Sequence, residues 1–277
     1  NTVDKTSQVH ILTGGRFMKK GILVVSFGTT HPDTRRLTIE AIERRIEKAF
    51  PDYSFYRAFT SGIIIKKMKE REGISVMTVR QALKAMHSDG IRDVVIQPTH
   101  VINGVENDKM REEAMELKGW FSSLKIGDAL LTTGEDNRAV IQAVAEEYGD
   151  LKEKEALVFM GHGTTHYANA IYAALDYEMK DMGYKNMFLG TVEAYPSLTS
   201  IFRILKEGEY TRVCLAPFMI VAGDHAKNDL SGASEDSWYT RFLREGYEVR
   251  CVLKGLGEIP GIQELLAEHA KRARGYI

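Results

Sequence analysis

A seven-residue pattern occurs twice in this chain, and the repeat limits what the chain can fold into. Val25-Ser26-Phe27-Gly28-Thr29-Thr30-His31 lines up with Met160-Gly161-His162-Gly163-Thr164-Thr165-His166, placing Gly28 and Gly163 135 positions apart. In each copy a short apolar run stops abruptly at glycine. Such a run suits a parallel strand covered on both faces. Glycine at its end lets the backbone turn sharply or approach a ligand closely. Further on, Val95-Ile96-Gln97-Pro98 resembles Cys214-Leu215-Ala216-Pro217. The chain therefore reads as two related units, 18–134 and 135–277, with the second carrying the chemistry described below.

Within each unit, strand patterns alternate with helical stripes. Strands are expected at 21–27, 54–59, 92–97 and 129–132, then at 156–160, 187–192, 212–218 and 248–253. Helical faces are marked by Ile39, Ile42, Ile46 and Ala49, by Val79, Ala82, Leu83 and Met86, and by Met110, Ala114, Leu117, Phe121 and Leu124. Later helices are expected at 137–148, 168–182, 197–207, 238–245 and 262–274. This alternation argues for an α/β fold of two parallel sheets wrapped by helices, with a ligand cleft between the units. The segment 1–17 is polar and lacks the apolar stretch of a signal peptide. It is expected to be an expression-derived or disordered extension, with Met18-Lys19-Lys20 as the natural start.

Several classes of function are disfavoured. The net charge is -1, so nothing global points to nucleic acid or an anionic membrane. No apolar run approaches the roughly 20 residues that span a bilayer. Cys214 and Cys251 each sit in an apolar strand pattern, which points to buried thiols and a reducing cytoplasm. The glycines form neither G-x-G-x-x-G nor a P-loop, so no nucleotide fingerprint is present. Ser26 and Ser61 lack a nucleophile elbow.

Three polar residues stand at successive strand ends of the second unit: His162, Glu193 and His225, spaced 31 and 32 positions apart. That spacing is about one βαβ step, so all three emerge at the same sheet edge. Two imidazoles and a carboxylate suit a borderline divalent ion and leave positions open for a substrate. Each residue also has a plainer reading. His162 can be a hydrogen-bonded loop residue, Glu193 a helix cap, and Asp224-His225 a solvated pair. Thr29-Thr30 and Thr164-Thr165 can cap helices or bind an anion at a helix start. His31, His100 and His166 also lie near strand ends, as supports or substrate contacts. The first unit carries Phe27 where the second has His162, and approximately Thr60 opposite Glu193.

Several long motifs, in order, resemble one family. They are Val24-Val25-Ser26-Phe27-Gly28-Thr29-Thr30, Arg57-Ala58-Phe59-Thr60-Ser61-Gly62, Phe159-Met160-Gly161-His162-Gly163, Val192-Glu193-Ala194-Tyr195-Pro196, and Val221-Ala222-Gly223-Asp224-His225-Ala226 with Asp236-Ser237-Trp238. The sequence resembles the anaerobic cobalt chelatases, the CbiK family of class II chelatases, which insert Co(II) into sirohydrochlorin on the way to cobalamin. The resemblance implies two similar flavodoxin-like domains with the tetrapyrrole held between them. It implies a lyase in which His162, Glu193 and His225 bind the metal, with His162 accepting protons; because one nitrogen cannot ligate and accept a proton at once, His162 is expected to change roles or Glu193 to share the proton work. Phe27, Gly28, Thr29, Thr30, His100, Gly163 and Thr164 are the expected substrate contacts. Arg57 and Lys227 are candidates for the carboxylates that ring the substrate. Co(II) is then a substrate and no cofactor is tightly bound; Fe, Ni or Zn can replace cobalt in vitro. The partners implied are sirohydrochlorin and a divalent metal, without nucleic acid or membrane and with room for a homo-oligomer. A sirohydrochlorin ferrochelatase or nickelochelatase would use the same ligands, as would a non-catalytic tetrapyrrole or metal carrier.

Overall fold

A computed structural model describes residues 18–275 of the chain. The extension expected at 1–17 lies outside the described residues. The first half runs β1 (Lys19–Ser26), α1 (Pro32–Leu37), α2 (Ile39–Ala49), β2 (Ser54–Phe59), α3 (Gly62–Glu72), α4 (Val79–Ser88), β3 (Ile91–Pro98), α5 (Val105–Glu116), β4 (Ser123–Ile126) and α6 (Gly134–Glu147). The second half runs β5 (Glu155–Gly161), α7 (Ala170–Asp181), β6 (Met187–Thr191), α8 (Leu198–Lys206), β7 (Arg212–Pro217), a π-turn at Ala226–Leu230, α9 (Trp238–Arg244) and β8 (Glu248–Cys251). The chain then closes with α10 (Pro260–Arg272) and β9 (Arg274–Gly275). The sheets have the orders β2-β1-β3-β4-β9 and β6-β5-β7-β8, and every pairing is parallel except β4 with β9. This is the two-sheet α/β architecture that the repeat predicts. Among the described residues, no helix is long and apolar enough to cross a membrane.

Strand alternation sorts the central residues between separate cores. On β1, Leu23 and Val25 join a core with Leu83 and Met86 of α4 and Met110 of α5. On β5, Ala156, Val158 and Met160 join one with Ile201 of α8 and Trp238 and Phe242 of α9. The opposite faces meet in a shared core, where Ile22 and Val24 lie with Leu157 and Phe159. Phe159 is fully buried and meets Tyr148 and Phe218 edge-on, with ring centroids at 5.4 and 5.6 Å. Truncating a ring packed in this way costs about 3–5 kcal/mol.

Two sequence expectations fail at one place. The fourth strand is Ser123–Ile126, not 129–132, and the stripe through Phe121 and Leu124 is not one helix. Helix α5 ends at Glu116, a single 3₁₀ turn follows over Lys118–Trp120, and Leu124 is a strand residue. Ala129, Leu130 and Leu131 are buried outside any strand, with the Leu130 and Leu131 amides donating to the carbonyls of His100 and Val101 and a single isolated parallel bridge between Leu131 and Ile102. Their apolar character reports burial and not ladder pairing.

The chain finally returns to where it began. Helix α10 packs on α2 and α6, and β9 pairs with β4. Ile262 and Leu266 of α10 lie in the shared core with Ile42 and Ile46 of α2. His269 Nε2 lies 2.8 Å from Asp136 Oδ1, both groups buried. Burial raises the Asp136 carboxyl, but hydrogen bonds from His269 and Thr133 outweigh it and hold the group below the usual carboxylate range. The Asp136 carboxylate also accepts the Thr133 amide in the capping box that starts α6.

Candidate active site

A cavity of about 620 Å³ opens where the carboxyl edges of the two sheets face each other. Its walls come from both halves: Phe27 to Thr30 after β1, His100 and Val101 after β3, His162 to Thr165 after β5, and Met219 to Val221 with Gly223 to His225 after β7. This is the usual ligand position of open α/β sheets.

The two Gly-Thr-Thr turns are built alike. Gly28 has φ +102° and Gly163 φ +82°, both in the left-handed region that favours glycine. A Cβ on Gly163 would lie 2.9 Å from the Ala194 backbone nitrogen, so the β5 turn is packed directly against the Glu193 segment. Thr29 Oγ1 accepts the His31 amide at 3.2 Å, and Thr164 Oγ1 accepts the His166 amide at 3.1 Å. The Thr164 amide itself donates to Asn169 Oδ1 at 3.1 Å. These contacts shape the turns, and the threonine hydroxyl protons remain available to a ligand. Backbone hydrogen bonds also fix how the repeats correspond. The Ser61 amide donates to the Phe27 carbonyl as the Glu193 amide donates to the His162 carbonyl. Phe27 thus matches His162, and the residue opposite Glu193 is Ser61 rather than Thr60.

Strand β5 lies between β6 and β7, so His162, Glu193 and His225 converge. The rings of His162 and His225 meet edge to face with centroids 4.6 Å apart. His162 Nδ1 donates to the Gly163 carbonyl at 2.8 Å and lies 3.7 Å from Glu193 Oε2. His225 Nδ1 lies 2.6 Å from Asp229 Oδ2. Each ring therefore spends its Nδ1–H on an oxygen, which leaves the Nε2 lone pair free. Among the described residues, no three His, Cys, Asp or Glu side chains are gathered closely enough to hold an ion as they stand. The three groups are neighbours around an open space, a geometry suited to an ion in transit.

His100 lines the same cavity from the first half. It is 9% exposed, and neither ring nitrogen has a hydrogen-bond partner. Burial pushes its pKa down to about 4, with the neighbouring Asn107 and Glu106 pulling upward and Arg111 downward. It is therefore a neutral imidazole at pH 7. Phe27 is 48% exposed at the cavity wall, a flat apolar face turned to solvent.

The two cations expected to meet substrate carboxylates are otherwise engaged. Arg57 pairs with Glu43 and lies outside the cavity wall. Lys227 Nζ lies 3.2 Å from His31 Nδ1. Sequence reasoning missed Lys67 of α3, which lines the cavity beside the exposed Ile63. The i,i+4 spacing of the two on one helix was the available signal. It also missed Asp229, which lies four residues after His225 on the π-turn.

Comparison with known proteins bears on the same architecture. The family described as "Cobalt chelatase (CbiK)" matches residues 20–274. The "Sirohydrochlorin cobaltochelatase" of Salmonella typhimurium is 41% identical over 256 residues, covering 92% of this chain and 97% of that protein. "Sirohydrochlorin cobaltochelatase CbiKC" of Nitratidesulfovibrio vulgaris is 30% identical over 258 residues, covering 92% and 90%. Among solved structures, SirB from Bacillus subtilis with Fe3+ superposes with a TM-score of 0.63 at 12% identity, covering 92% of this chain and 95% of its own. At that identity the likeness speaks to the fold alone.

Proposed function

The chain belongs to the cobalt chelatase (CbiK) family, and on that premise we propose that it inserts Co(II) into sirohydrochlorin. The two similar relatives bear the name of that activity. The observation that carries the site assignment is the pair of facing imidazoles, His162 and His225, each with Nδ1 bonded to an oxygen at the wall of the cleft.

Insertion has two requirements: the ion must shed its waters, and two pyrrole N–H protons must leave the ring. The two Nε2 atoms and the Glu193 carboxylate can replace waters stepwise without filling the coordination shell. A loosely gathered set favours release, because a tightly closed site would keep the ion. The His162 Nε2 lone pair can ligate or accept a proton, but not both at once. His162 therefore alternates, holding the ion first and taking a ring proton as the ion moves onto the macrocycle. Glu193, 3.7 Å from the other ring nitrogen, stabilises the imidazolium that forms. The second proton goes to Glu193 or to water. Phe27, Val101 and Val221 offer apolar surface to the flat ring, and the Lys67 ammonium offers a partner to a ring carboxylate.

Cys214 and Cys251 are both free, which supports placing the enzyme in the reducing cytoplasm. The test is an absorbance assay with purified protein, sirohydrochlorin and, in turn, Co(II), Fe(II), Ni(II) and Zn(II). His162→Ala is expected to abolish enzymatic Co(II) insertion. Near-normal insertion by that variant would sink the assignment, and binding without faster insertion would mark a carrier.

A further inference from the structure

The residue that completes the ion-binding set sits on a segment that belongs to the second half by sequence but leans on the first. Val221, four residues before His225, packs into a small core made by Ile39, Phe59, Met68 and Val76 of the first half. The second tie is polar. His31, which follows the first Gly-Thr-Thr turn, reaches across the cleft to both sides of His225. Its Nε2 lies 2.8 Å from Asp224 Oδ1, and its Nδ1 lies 3.2 Å from Lys227 Nζ. An ammonium can only donate, so Lys227 fixes Nδ1 as the acceptor and Nε2–H as the donor to Asp224. His31 is itself held by the Thr29 hydroxyl, which accepts its amide. One imidazole thus bridges residues 224 and 227, and His225 lies between them. Asp229 orients the His225 ring, whereas His31 makes the polar tie from the other half of the molecule to the backbone turn on either side of it.

We propose that His31 is a positioning residue for His225, so that the first half, which carries none of the expected ion ligands, sets the geometry of the site in the second. This rests on the reading of His225 as an ion ligand. The mirror contact, from His166 Nε2 to Asp108 Oδ2 at 3.2 Å, also joins the halves but touches neither neighbour of His225. It is therefore the natural control.

Co(II) binding to the full chain without tetrapyrrole, followed by the visible absorption of the bound ion, tests this. Outer partners of metal ligands typically carry about 10–100-fold in affinity. His31→Ala is expected to weaken Co(II) at the lower end, about tenfold, with an altered absorption band. In the insertion assay it raises the KM for Co(II) and leaves that for sirohydrochlorin unchanged. His31→Gln, which can accept from Lys227 and donate to Asp224, restores binding to near the native value. Asp108→Ala leaves Co(II) binding and its spectrum unchanged. If His31→Ala folds poorly, Lys227→Met at an exposed position removes one of the two contacts and is expected to act in the same direction. Native Co(II) affinity and spectrum in His31→Ala, with binding lost in His225→Ala, would overturn the positioning role and leave the ligand reading intact. Native binding in His225→Ala would overturn both.

Discussion

His100 allows a prediction whose size follows from its surroundings. The ring is buried without partners, and its pKa is held down to about 4 against a reference of 6.5. Between these values the unfolded chain binds a proton that the folded chain refuses. Stability therefore rises with pH across this window: it is fully present above 6.5 and is lost as pH falls toward 4. At about 1.36 kcal/mol per unit, the loss from pH 7 to pH 5 amounts to about 2 kcal/mol from this residue. Replacing it by phenylalanine removes the titration and keeps a ring of similar size. Urea unfolding of the native protein and His100→Phe, at pH 7 and pH 5, measures the difference directly. The native protein is expected to lose about 2 kcal/mol more than the variant between the two pH values, and groups common to both cancel. Parallel pH dependence would refute the argument that burial keeps this imidazole neutral. The same variant should also slow insertion at pH 7, because it removes a neutral hydrogen-bonding group from the cleft wall.

Two further outcomes follow from the turns and the last helix. Gly163→Ala places a Cβ 2.9 Å from the Ala194 nitrogen at φ +82°. Strain of about 1–2 kcal/mol and displacement of the Glu193 segment are expected, read as a lower melting temperature together with slower insertion. Asp136→Asn keeps one accepting oxygen but removes the charge and the second acceptor, so the His269 and Thr133 hydrogen bonds can no longer both be made, and it should cost about 1–3 kcal/mol at neutral pH. Because the carboxyl is held low in the folded state, this contribution is present above the ordinary aspartate range and fades as pH falls through the folded value. Denaturant unfolding at pH 7 and pH 3 distinguishes the two regimes.

Much of this molecule was legible in its residues. The apolar runs at Ile22–Val25 and Ala156–Met160 encode two-faced strands, and the repeat fixes where each strand stops. From the strand order, the convergence of His162, Glu193 and His225 follows. What escaped is long-range. Leu130 and Leu131 are as apolar as any strand, yet nothing local says that their amides find the carbonyls of His100 and Val101 as a loop. The pairing of β9 with β4 joins Lys125 to Gly275, a contact with no local signature. Lys67 and Asp229 are surface-type residues whose meaning depends on a cleft and a ring that only the folded chain brings beside them. His31 reads from the sequence as a support or substrate contact near a strand end, and its reach across the cleft appears only with Asp224 beside it.

The return of α10 to α2 has a consequence for the order in which the protein can be made. The ribosome delivers Ile42 and Ile46 early, but the helix that covers them begins only at Pro260. At about 5–20 residues per second, the stretch between α6 and α10 takes on the order of ten seconds to emerge. Through that interval the first half has its strands and its outer helices but lacks the lid of one face. It stands as an apolar surface that the cell must tolerate or shield until the last helix closes the gap.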